Sequence, residues 1–322
     1  MRISLLDRSR TRAGMSEAAA LTHTVERART AEQWGYHRYW VAEHHAVPGI
    51  ASGSPAVLLA AIGARTDRIR LGSGGVMLPN HRPLVVAEQF LMLEALAPGR
   101  IDLGLGRTLG FTGPVREALG RTEASPEAFA AEVSELRDHL EGTAAVTARP
   151  RPEIPPPLFV LATGSGMRAA AHLGLPVVVG GPVLHSAELP ELLADYRRRF
   201  RPHRGSAPEV IVSADVLIAD TDAEAQDLAL PEAWAMVRSR EEGAFPPLED
   251  LPAIRDRTLT PRQRTRLDRT LADTWAGSER TVAHRIEQML ERTGAEELLS
   301  TASTADREAL ADSDRRLIRL LG

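Results

Sequence analysis

The chain has 322 residues, 43% of them hydrophobic, with 39 basic and 43 acidic side chains for a net charge of -4. That balance gives no electrostatic footprint for nucleic acid, and the absence of cysteine excludes disulfides, thiolate nucleophiles and Cys-held metals or clusters. Every basic residue is Arg and none is Lys, so a lysine Schiff base is excluded too.

Residues 2–6 read as a short buried strand. The apolar run there is too short for a signal peptide, and no stretch approaches the roughly 18 apolar residues of a membrane span. A soluble, cytoplasmic protein is expected. Residues 16–34 carry Ala20, Leu21, Thr24, Ala28, Ala31 and Trp34 at helical spacing, with Gly35 as the C-cap. A strand follows at 37–42. Pro55 opens a helix over 55–65, and a strand follows at 69–73. Pro83 opens a helix over 83–96, Pro98-Gly99 ends it, and the next strand is 101–105. Residues 107–125 are Gly- and Thr-rich and predict a loop. A helix at 126–141 leads to five prolines within 149–157, a stiff extended connector.

The second half continues the alternation. It gives strand 158–162, helix 166–173 ended by Gly174, strand 175–179, helix 186–200, strand 209–218 and helix 222–240. Residues 241–277 read as a polar, irregular segment, and 230–276 as the place for a lid or substrate loop. Helix 278–293, strand 296–301 and helix 305–320 close the chain. Eight strands alternating with helices predict an α/β fold, a (β/α)8 TIM barrel spanning 1–322 as one domain, with extended loops at the C-terminal mouth.

Strand ends meet at that mouth, so the residues there are the chemical candidates. Glu43, His44 and His45 end the second strand. Adjacent strand side chains point to opposite faces, so His44 and His45 do not share a metal, and the His-x-His of metal-dependent barrel hydrolases is missing. No metal site is expected. An imidazole titrates near neutrality and suits proton management; the structural reading is a packed or loop-bonded histidine. Gly72-Ser73-Gly74-Gly75 reads either as a bulge or as bare backbone against a flat ligand. Arg107 follows Gly104-Leu105-Gly106 and can pair with a phosphate or with a surface carboxylate. Thr163-Gly164-Ser165-Gly166 precede a helix and read as an anion site or as plain N-capping. His81 and Arg82, in the turn 79–83, read as structural or solvent-facing. His185 lies past the sixth strand, within reach of the mouth.

Arg38–His45 (RYWVAEHH), the run GSGGVMLPNHRPLVVAEQF from Gly72 and the run LEALAPGRIDLGLGR ending at Arg107 together resemble the bacterial luciferase-like, flavin-dependent monooxygenases. Shorter matches occur at 171–176 and around 277–282. The resemblance implies a TIM barrel, dimeric through the helices after the second and third strands, with reduced FMN bound non-covalently at the mouth, or the deazaflavin F420 in related branches. It puts His44 on the catalytic imidazole and Gly74-Gly75 on a cis non-proline peptide behind the isoalloxazine. Gly106 joins the cofactor-binding positions, and Arg107 with Thr163, Gly164, Ser165 and Gly166 falls on the phosphate-binding groups. Gly106 stands where true luciferases carry a Cys, so light emission is not implied, and Ala162 stands where relatives often have a small hydroxyl residue.

The chain has no nicotinamide module of its own. The expected reaction is therefore that of a two-component monooxygenase: a separate flavin reductase supplies reduced FMN, O2 adds at flavin C4a to give a (hydro)peroxide, and one oxygen atom passes to a small organic substrate. F420-dependent hydride transfer and non-catalytic flavin binding are the alternatives.

Overall fold

The computed structural model describes residues 1–162 and 165–321. Its strands are β1 (Arg2–Asp7), β2 (Arg38–Val41), β3 (Arg70–Met77), β4 (Ile101–Gly106), β5 (Leu158–Ala162), β6 (Val177–Gly180), β7 (Val210–Ala214), β8 (Val216–Ile218), β9 (Trp275–Gly277) and β10 (Glu297–Ser300). Strands β1 to β7 and β10 close in that order into a barrel, every pairing parallel. The expected TIM barrel is therefore the observed fold. Parallel strands covered on both faces need apolar residues almost throughout, which is why Leu158–Val160 and Val177–Val179 show no alternation.

Local chemistry sets the helix ends as read from the sequence. The Ser16 hydroxyl accepts from the Ala19 amide at the start of helix Glu17–Trp34, and Gly35 closes it at φ 90°, a conformation that favours glycine. Proline opens the helices Pro55–Gly63 and Pro83–Leu96. The seam between first and last elements is polar. Asp7 accepts from Arg27 and Tyr39, and Arg27 forks onto both oxygens of Asp314 in the closing helix Arg307–Leu321.

Inside the barrel, alternation sends Leu6, Trp40, Phe159, Val178, Ile211 and Leu299 into one cluster. The wall facing the helices forms a separate, larger core. Beneath the inner cluster lies a charged floor. Arg38 Nη1 donates to Asp102 Oδ2 at 2.9 Å and Arg38 Nε to Glu297 Oε1 at 2.8 Å. Ser4 Oγ also donates to Glu297, at 2.6 Å. All four side chains are buried, so each charge is compensated where water cannot do it.

Two segments differ from expectation. Residues 209–218 are not one strand: the chain leaves the barrel at Asp215, and Val216–Ile218 pairs instead with β9 in a small separate sheet. The polar segment 241–277 is largely helical, with helices Leu251–Arg255 and Pro261–Asp273 before β9. They pack Ile254 and Leu267 against Trp234 and Val237 of the long helix Asp222–Glu242. A mean composition that is polar hid two short amphipathic faces. A six-residue helix, Gly113–Ala118, likewise sits within the expected loop 107–125. Among the described residues no helix is long and apolar enough to cross a membrane.

The floor gives a stability prediction. Replacing Arg38 by Met takes one counter-charge from each of two buried carboxylates, leaving Asp102 with Arg70 and Glu297 with Arg2, and equilibrium urea unfolding should show a loss of about 3–5 kcal/mol. A loss within experimental error would mean that Arg70 and Arg2 alone suffice as counter-charges.

Candidate active site

The chain turns out of β2 at Ala42, and the same parity that buries Arg38 and Trp40 inside carries His44 to the inner side of the mouth. A cavity of about 920 Å³ opens there, near the upper end for ligand pockets. It gathers His44, Gly74, Gly75, Gly106, Arg107 and Gly166, residues from four separate stretches of sequence. Thr163 and Gly164, and the side chain of Ser165, lie outside the described residues.

Gly74-Gly75 is a cis peptide bond, and the β3–β4 register shifts between Ser73 and Val76 at the same point. The bulge and the bare backbone are thus one feature. A Cβ at Gly74 would collide with Leu6, and one at Gly75 would come 2.8 Å from the Gly104 carbonyl oxygen. Gly106 differs: a Cβ there would meet nothing nearer than 3.9 Å and would stand in the cavity. Arg107 Nη1 donates to the Ala124 carbonyl at 2.9 Å, and no carboxylate of the described residues lies within 4.0 Å of its guanidinium.

His44 keeps Nδ1 buried without a hydrogen-bond partner, leaving Nε2 as the accessible ring nitrogen. Burial, followed by the positive charges of Arg8 and Arg10, holds its pKa down to about 4. Those two arginines share one carboxylate. Glu232, on helix Asp222–Glu242, pairs with Arg10 Nε at 2.8 Å and Arg8 Nη1 at 3.3 Å. Arg8 also reaches Asp215 at 3.3 Å. Phe111 lies 6.1 Å from the His44 ring and packs edge-on against Phe245 at 5.1 Å.

The neighbours of His44 also touch the cavity, but their polar atoms are tied up with one another. Glu43 Oε1 accepts from His45 Nε2 at 2.6 Å and from His81 Nε2 at 2.7 Å, while Oε2 accepts the Met77 amide at 3.1 Å. Burial alone would raise the Glu43 pKa, but these donors bring it down to about 2. His81 is therefore tied to the end of β2, not loose in solvent. His185 lies outside the main cavity, 3.8 Å from Asp273 beside a separate cleft.

Sequence reasoning missed Arg8, Arg10 and Glu232. Arg8 was within reach, because it continues the inward series of Ser4 and Leu6 past the end of β1. Glu232 carried no signal, since its role depends on where a helix more than 200 residues away is docked.

The model of the luciferase-like monooxygenase family matches residues 1–297. A protein of Escherichia coli (strain K12) described as a luciferase-like monooxygenase is 36% identical over 95% of this chain and 92% of its own. An N-acetyl-S-alkylcysteine monooxygenase of Bacillus subtilis (strain 168) is 41% identical over 70% of each. The crystal structure of apo-MsnO8 superposes with a TM-score of 0.88 at 33% identity, covering 99% of this chain and 98% of the other. With a matching family model over nine-tenths of its length and relatives of this identity, the chain belongs to the luciferase-like monooxygenases.

Proposed function

We propose that this protein is an FMN-dependent monooxygenase that oxygenates a small organic substrate at the barrel mouth, using O2 and reduced FMN delivered by a separate reductase in the cytoplasm. The observation that carries this reading is the convergence of a buried imidazole, a cis glycine peptide and a guanidinium without a carboxylate partner among the described residues on one cavity in a chain of this family. The residues fit a flavin. Gly106 leaves open the space that a Cβ would fill, Gly74-Gly75 presents flat backbone, and Arg107 has no carboxylate to satisfy among the described residues.

When bound, reduced flavin supplies the electrons that activate oxygen. The protein's own contributions are positional and protonic. Arg107 holds the phosphate, joined by the helix start at Gly166 and, in this proposal, by Thr163, Gly164 and Ser165. His44, neutral near pH 7, accepts a proton at Nε2 without first having to lose one. Phe111 and Phe245 cover the His44 side of the cavity and exclude water from it. The relative that oxygenates N-acetyl-S-alkylcysteines makes small thioethers the first substrates to try.

The dimer is part of the proposal. Val57, Val85, Met92 and Leu96 are exposed on the adjacent helices after β2 and β3, and Leu96 is 75% accessible. Large apolar side chains gathered on one face mark a contact surface, here for a second copy of the chain.

Binding is the direct test. Reduced FMN should bind anaerobically, and Arg107→Ala should weaken it about tenfold or more while leaving riboflavin, which lacks the phosphate, unchanged. Equal losses for both ligands would remove the phosphate role. Tight F420 binding with none of FMN would replace oxygenation by hydride transfer.

For His44, the Ala variant should still consume oxygen, yet form product per O2 about 10²-fold less well. The ring should titrate near pH 4 by NMR. An unfolded chain protonates it near 6.5, so its share of folding stability is full above that value and is lost as pH falls towards 4. A titration at 6.5 in the folded protein, or wild-type coupling in the variant, would dispose of the assignment. In sedimentation, the wild type should run as a dimer and Leu96→Glu as a monomer; a monomeric wild type at micromolar concentration would end the dimer proposal.

A further inference from the structure

We propose that Glu43, His45 and His81 form a site for one divalent transition-metal ion of the zinc or cobalt kind, at the rim of the mouth. The proposal stands apart from the flavin reading and rests on the trio alone. Among the described residues this is the one group of three carboxylate and imidazole donors close enough to hold an ion, its three donor atoms lying within 4.8 Å of one another. One carboxylate oxygen with two imidazole nitrogens is a donor set suited to zinc, cobalt, iron and manganese.

The placement of the trio is specific. Glu43 and His45 are two apart on the segment leaving β2, so they share a side. His81 comes from the turn after β3, beyond the short 3-10 helix Leu78–Asn80. Both Nε2 atoms converge on the single oxygen Oε1, at 2.6 and 2.7 Å. The other oxygen, Oε2, is held by the Met77 amide. A ligand carboxylate oriented by an outer hydrogen bond is how metal sites fix their donors. The Glu43 side chain is 1% exposed, whereas those of His45 and His81 are 21% and 30% exposed. The anion is thus sheltered while the imidazole side remains open for an ion to enter.

Without an ion, two imidazole N–H groups fill the space between the donors. Metal binding takes both Nε2 lone pairs, and each neutral ring then carries its proton on Nδ1 instead. The Nε2–Oε1 contacts then widen by a few tenths of an ångström, because donors at about 2.0–2.2 Å from one ion stand farther apart than hydrogen-bonded atoms. The ion would tie the end of β2 to the turn after β3 on either side of the cis peptide. Its remaining coordination positions would go to solvent.

Chelator-stripped protein titrated with Co2+, then competed with Zn2+, tests this. Expected is one equivalent of Co2+ per chain with visible d–d absorption, displaced by one equivalent of Zn2+. The Glu43→Gln and His81→Gln variants should lose about tenfold or more in affinity, while His185→Gln, altered at a distant histidine, should bind as the wild type does. If His81→Gln fails to fold by circular dichroism, His45→Gln carries the same expectation. Absence of binding at micromolar Zn2+, or wild-type affinity in the folded trio variants, would reduce the cluster to a hydrogen-bonded clamp. Neither result would touch the flavin proposal, which is read by FMN binding.

Discussion

Trp40 is wholly buried inside the barrel, its Nε1–H on Asp102 Oδ2 at 3.1 Å and its ring edge-on to Phe159 at 5.2 Å. An indole of that size fills the space of several smaller side chains, and close packing then leaves the neighbouring strand little freedom. A Cβ at Gly72 would collide with the indole nitrogen, and one at Gly74 would press on Leu6 and come 3.2 Å from the indole Cε3. Gly72 and Gly74 are therefore packing requirements of Trp40 and Leu6 before they are anything else, while Gly75 answers to the Gly104 backbone of β4. Asp102 in turn needs Arg38 and Arg70 to be tolerated there. A filled lower barrel and bare backbone at the mouth are two results of one steric fact.

The mouth carries a second constraint, electrostatic and reaching farther along the chain. Arg8 and Arg10, just past β1, face Glu232 on the long helix and Asp215 at the exit from β7. Such buried pairs add little net stability, because desolvation offsets most of the attraction. What they fix is geometry and field. The helical unit after β7 is docked by charges that also face the imidazole, and Arg10 lies 5.4 Å from the ring centroid of Phe245. Residues 222–277 therefore stand behind the site, bracing the arginines that face His44.

How much of this was legible follows from the range of each force. Parity along a strand is local, so the separate roles of His44 and His45 could be read from sequence. The chain's β-then-α rhythm gave the barrel for the same reason. The break at Asp215 could not be seen, because Val210–Ile218 keeps strand-like residues throughout and only the choice of partner changes. Helices Leu251–Arg255 and Pro261–Asp273 were hidden by their polar outer faces; the few apolar residues that matter, Ile254 and Leu267, find Trp234 only after folding. His81 reads from sequence as structural or solvent-facing and no further, because its partner is 38 residues away, across the β2–β3 pair.

One tripeptide shows how far alternation alone can separate functions. In Glu43-His44-His45 the outer two residues are i and i+2, on one side, and they meet: a carboxylate and an imidazole at 2.6 Å, joined by His81. The middle residue takes no part in that cluster; it stands in the cavity, where two cations and little water keep it uncharged. Insertion of a single residue ahead of Glu43 would carry the carboxylate away from His81 and move His44 from its place beside the two cations. The spacing from Trp40 to His44 is thus as constrained as the residues themselves. The indole below sets the parity, the parity aims the imidazole, and the outward pair holds the turn that keeps it aimed.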